Sequence, residues 1–114
     1  MAAVKDMEFA YTDAWVSRGE TAEQWHIRVP KLLPFRVIEQ LMAATGRPDS
    51  KFLHCLPSLH DRSTKLEERL YRDFALDGVG VTDEVFQSDR SLVFDQAEYR
   101  LHTIKVVLVS ARAS

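Results

Sequence analysis

Two short apolar, β-prone runs, Phe9-Ala10-Tyr11-Thr12 and Lys51-Phe52-Leu53-His54-Cys55, are separated by two segments of helical character. This spacing constrains the fold more than any other feature. A connection that long is too much for a hairpin and fits a crossover between parallel strands. The connecting segments read as helices over 20–29 and 35–45. In the second, Val37, Ile38, Leu41 and Met42 form one apolar face and Gly46-Arg47-Pro48 is the stop. Pro30 and Pro34 are expected to break the first. After the second strand, 65–74 reads as a helix with Leu66, Leu70 and Phe74 four apart. A turn at Asp77-Gly78-Val79-Gly80 leads to a short helical turn near 81–86, capped by Thr82 or Asp83. Ser91–Phe94 reads as extended or entering a turn. The last helix has Asp95 as expected N-cap and Glu98 three residues on, a capping box, with Ala97, Leu101, Ile104 and Leu108 as its apolar face.

The order is α/β, but two strands make a poor sheet. A doubly wound, Rossmann-like parallel sheet needs more strands, with helices on both faces. The chain therefore reads as the C-terminal piece of such a domain, beginning inside it. Its 114 residues suffice for one small domain. A net charge of −2 offers no field to attract nucleic acid or anionic lipid. One cysteine, Cys55, rules out an intrachain disulfide and fits a reducing compartment. No signal-peptide pattern or run of membrane-spanning length is visible, so the expected location is the cytoplasm.

In open α/β sheets, ligands sit beyond the carboxyl ends of the strands. The first strand is followed by Asp13 and Ser17; the second ends in His54 and Cys55. If the strands are neighbours, these groups converge at one mouth that suits a small polar ligand carrying an amine. Blander readings stand beside this one. Asp13 fits a turn or cap residue, and Cys55 fits an inert buried side chain. Arg100, His26 and His102 fit solvated surface groups. His54, Cys55, His60 and Asp61 match no standard zinc spacing, so no metal is expected.

Several segments together resemble ornithine carbamoyltransferase. Asp13-Ala14-Trp15-Val16-Ser17-Arg18-Gly19 is similar to the family's Asp-x-x-x-Ser-Met-Gly loop. His54-Cys55-Leu56-Pro57 matches its His-Cys-Leu-Pro motif. Val81-Thr82-Asp83-Glu84-Val85 and Phe94–Lys105 look like its C-terminal signature. The resemblance runs from about Ala3 to about Ala111, with the motifs in order.

The resemblance implies an ornithine-binding domain and the conversion of ornithine and carbamoyl phosphate to citrulline and phosphate, a step of arginine metabolism. Asp13 would face the side-chain amine, while Ser17 and position 18 would hold the amino-acid end. Cys55 would lie against the reacting amine and serve catalysis. The Cys55-Leu56 backbone and Arg100 would meet carbamoyl phosphate, with His54 and Pro57 in support. A thiolate at Cys55 could accept the amine's proton, given a cationic neighbour such as His54 or Arg100. No metal or organic cofactor is implied.

The sequence also departs from the family. Arg18 replaces the loop methionine, Tyr99 the asparagine before the signature arginine, and Gly80 a commonly acidic residue. The Ser-x-Arg-Thr-Arg and His-Pro-x-Gln motifs of the N-terminal carbamoyl-phosphate domain do not occur. The expectation is a fragment inactive alone, completed by an N-terminal partner chain or a homo-oligomer like the family trimer. The alternatives are a non-catalytic amino-acid-binding or regulatory module, or the product of a decayed gene. Missing neighbour strands should leave an apolar sheet face and an edge exposed.

Overall fold

A computed structural model describes residues 2–17 and 19–113. Its strands are β1, Phe9–Thr12, and β2, Lys51–His54. They pair in parallel with Phe9 opposite Lys51 and Thr12 opposite His54. The second strand ends one residue earlier than expected, so Cys55 opens the following loop. On its other side β2 is bridged by Ser91: the Phe52 amide donates to Arg90 and the Leu92 amide to Phe52. β2 is thus held from both sides, while Phe9 and Tyr11 of β1 stay exposed.

The first helix, α1, spans Ala22–Leu32 rather than starting at Glu20. Thr21 caps it, in a box with Gln24. Glu20 is diverted: its carboxylate accepts from the Ser17 amide at 2.9 Å and from Arg28 at 2.8 Å. The Ser17 bond, then Arg28, hold the Glu20 carboxyl below the usual carboxylate range. Pro30 does not break α1. It lies in the last turn, where a missing N–H removes one ladder bond while Trp25 and Val29 keep the helix seated in the core. Pro34 sits in the 3-10 turn Leu33–Phe35 that follows.

The expected helix over 35–45 shrinks to α2, Glu39–Ala44. Val37 is extended instead, bridged in parallel to Val81, with its amide donating to Gly80 at 2.8 Å. A buried β-branched residue gains more from that pairing than from a helical turn. Gly46 ends the segment with φ +70°, as the stop signal requires.

Helix α3, Lys65–Phe74, has the expected bounds, and Thr64 and Glu67 form a capping box. The short α4, Asp83–Phe86, is preceded by Thr82 as N-cap. Two cores result. Val37, Met42, Phe52, Val81, Val85, Phe86 and Val93 fill one. Trp15, Val16, Trp25, Val29, Leu70 and Val79 fill the other, between the loop after β1 and helices α1 and α3.

The last helix, α5, covers Val93–Ala113 and corrects the expected cap: Asp95 lies inside its first turn. The ladder bond from Leu92 to Phe52 pins the chain extended up to that residue, and the helix starts directly from it, with the Gln96 amide donating to Leu92. Residues 101 to 113 are all exposed. The radius of gyration is 16.3 Å, against about 13 Å for a compact chain of this length. No helix among the described residues is long and apolar enough to cross a membrane.

Candidate ligand site at the strand ends

Parallel pairing puts the carboxyl ends of β1 and β2 at one edge, and the loops that follow them enclose a hollow of about 540 Å3. Asp13, Ser17, Cys55, Leu56 and Pro57 all line it, with Lys65 of α3 at the rim. Asp13 also accepts from the Ala14 amide at 2.7 Å, so the turn role and the cavity role coexist. Arg18 lies outside the described residues. Arg28 donates to the Trp15 carbonyl at 2.9 Å while paired with Glu20, which ties the Ser17 loop to α1.

A second groove, of about 700 Å3, adjoins the first. Arg100 and Tyr99 of α5 line it together with Tyr11, His54, Cys55 and Leu56. Cys55 and Leu56 therefore form a wall common to both hollows. Arg100, exposed on α5, reaches the second hollow and not the first.

His54 is 3% exposed, on the Phe52 side of β2. Its ring Nδ1 contacts the Cys55 carbonyl, which takes a proton on that nitrogen, since a carbonyl can only accept. Burial pushes the His54 pKa down. At neutral pH the ring is uncharged, so of the two expected cationic neighbours of Cys55 only Arg100 remains.

Two residues were missed by sequence reasoning. The Tyr11 hydroxyl lies 2.8 Å from Cys55 Sγ, and that bond is the first cause of a raised Tyr11 pKa. Gln96 of α5 accepts from the His54 amide at 3.1 Å and donates weakly to the Tyr11 hydroxyl at 3.5 Å. The register held the signal for Tyr11. Opposite Leu53 in a parallel pair, it shares a sheet face with Leu53 and Cys55. No short-range pattern points to Gln96.

The imagined metal group of His54, Cys55, His60 and Asp61 is not assembled. His60, Asp61 and Asp83 do bring ligand atoms within 4.8 Å of one another. Each is already engaged: His60 with Asp83 at 2.7 Å, and Asp61 with the Ser63 amide and hydroxyl. Arg36 and Arg62 line the same hollow and disfavour a cation. His26 contacts the Ala22 carbonyl and the Phe74 ring, and His102 pairs with Glu98.

The fold is a parallel α/β piece with a carboxylate, a hydroxyl and a thiol lining a hollow at its strand ends. Comparison narrows this. The aspartate/ornithine carbamoyltransferase, Asp/Orn binding domain family matches residues 1–111. A catabolic ornithine carbamoyltransferase of Rhizobium meliloti (strain 1021) is 48% identical over 109 residues, 95% of this chain. The ornithine carbamoyltransferase structure from Pyrococcus furiosus superposes with a TM-score of 0.70 at 40% identity, over 93% of this chain and 28% of that one. The anabolic ornithine carbamoyltransferase of Campylobacter jejuni gives 0.69 at 27% identity, over 98% and 30%. The chain belongs to the aspartate/ornithine carbamoyltransferase family, matching its amino-acid-binding domain. It spans about a third of the Rhizobium relative's length, 33%.

Proposed function

We propose that this chain forms the ornithine-facing half of a carbamoyl-transfer site and needs a carbamoyl-phosphate-binding part to catalyse. The observation that carries this reading is the shared wall. Asp13, Ser17 and Cys55 border one hollow, and Arg100 borders the next across Cys55 and Leu56. That is the adjacency needed by two substrates that exchange one group.

In this reading Asp13 attracts the δ-ammonium of ornithine, and Ser17 with position 18 takes the amino-acid end. A carboxylate favours the cation, so it aids binding and not proton loss. The amine must shed a proton before its nitrogen attacks the carbamoyl carbon. The carbon–oxygen bond to phosphate then breaks, and phosphate leaves with that electron pair. Cys55 is the proton acceptor in reach, with the Tyr11 hydroxyl 2.8 Å from its Sγ. Arg100 faces the phosphate. One exposed guanidinium is far short of the electrostatic stabilisation phosphoryl leaving groups receive in enzymes, so the chain alone is inactive. A cytoplasmic setting fits the single cysteine and rests on sequence.

Citrulline formation tests this, with the purified chain alone and mixed with a separately expressed carbamoyl-phosphate domain. The expected result is none alone and turnover in the mixture, reduced about a hundredfold or more by Cys55→Ala. Citrulline from the chain alone refutes the half-site reading. A mixture that stays silent while the chain binds ornithine calorimetrically identifies a non-catalytic amino-acid-binding module instead.

A further inference from the structure

A lysine at the first position of a helix works against the helix dipole, whose positive end favours anions there. Lys65 holds that position in α3, directly after the cap Thr64. Among the described residues no ion pair includes it. Of its neighbours one turn on, Glu68 is taken by Arg62 at 2.9 Å, and Arg69 is like-charged. Glu67 is buried and committed to the capping box. What Lys65 does border is the hollow at the strand ends.

Asp13 borders that hollow from the loop after β1, and Lys65 borders it from the first turn of α3. Asp13 too is in no ion pair among the described residues, so the two charges do not cancel each other. Val16, Leu59 and Leu66 add hydrocarbon to the lining. Ser58 adds a hydroxyl that is buried without a hydrogen-bond partner, a spare donor in the same hollow. Opposite charges held apart in a partly apolar hollow match a molecule whose own charges are separated by methylenes.

We propose that Lys65 is a specificity-determining residue, which pairs with the carboxylate of an amino acid whose side-chain ammonium faces Asp13. This rests on the ornithine reading above and adds to it the group that tells an amino acid from an amine without a carboxylate. Asp13 alone attracts any alkylammonium. The lysine's flexible four-carbon stem lets its charge follow a carboxylate along the rim. The pair of charges also sets direction. A ligand bound the other way round would put its side-chain ammonium against Lys65 and its carboxylate against Asp13, two like-charge contacts.

Titration calorimetry of the full chain tests this with L-ornithine and with L-ornithinamide, in which a neutral amide replaces the carboxylate. Lys65→Gln should weaken L-ornithine binding by about threefold to tenfold and change L-ornithinamide binding by less than about twofold. Lys65→Arg should restore most of the lost affinity, since it keeps the charge. Lys65 is exposed, so the far-ultraviolet circular dichroism of both variants should match wild type. Asp13→Asn should weaken both ligands alike. Equal losses for the two ligands in Lys65→Gln, or no loss for either, overturn the proposal. If Asp13→Asn still weakens both in that case, the ornithine reading survives the failure. Wild-type chain that binds neither ligand overturns the proposal and the reading together.

Discussion

Helices α3 and α5 both carry apolar residues at helical spacing, on one stripe in α3 and on all sides of the second half of α5, at 106–109, and they end in opposite circumstances. α3 has ten residues, and Leu70 is 2% exposed in the core between α1 and the β1 loop. α5 has 21 residues, and Val93 alone is buried among them. α3 is entered through a capping box at Thr64 and left through Ala75 in the left-handed region, so its ends are fixed locally. The start of α5 is fixed by a ladder bond from Leu92 to Phe52. The contrast teaches that periodicity says a segment is helical and which stripe wants cover, but not whether the cover lies in the same chain.

The comparison can be broken most sharply by truncating one side chain in each helix. Leu70→Ala should cost about 2–5 kcal/mol in denaturant unfolding. Leu101→Ala should fall within about 0.5 kcal/mol of wild type. Equal losses would mean α5 has a seat within its own chain. The caps give a smaller contrast. Thr64→Ala should cost about 1 kcal/mol, and Asp95→Ala less than about 0.5 kcal/mol, since Asp95 meets only the helix dipole.

The mildest test concerns the seat of α5 on β2, where Gln96 meets the His54 backbone. The folded-state pKa of His54 lies below its ordinary value of 6.5 because burial disfavours the charged ring. Below that pH the unfolded chain binds a proton that the folded chain refuses. Stability should therefore decline as pH falls from about 6.5 toward 5, before carboxylates titrate, and level off once the lowered folded value is passed. His54→Gln should flatten this part of a thermal-midpoint profile; an unchanged slope would assign it to another group.

The sequence made local elements legible where side chains and backbone agree. The bounds of β1 and α3 and the turn at Gly46 fall where the pattern puts them, but β1, read as a buried strand, leaves Phe9 and Tyr11 exposed, and Thr82 holds the N-cap position of α4 without a side-chain capping bond. It misled where a distant partner outbid a local preference. Val37 left its helical stripe to pair with Val81, and Asp95 lost the cap position to a bond made by Leu92. At the site, Asp13, Ser17 and Cys55 could be grouped once parallel pairing was assumed; Leu56 and Pro57 followed only from the resemblance, and His54, expected at the same mouth, borders the second hollow instead. Tyr11 needed the register as well, and Gln96 needed the docking angle of α5, which no short-range signal encodes. The apolar face expected to be left uncovered is there, on Phe9 and Tyr11.

The wall that Cys55 and Leu56 share between two hollows has a corollary for substitution. A change at either position reshapes both hollows at once, so in the proposed site neither can suit one ligand without altering the fit of the other. Asp13 and Arg100, each bordering a single hollow, carry no such double constraint. Under the proposed two-substrate reading, a substitution at an outer wall alters the fit of one ligand, whereas one in the partition alters both.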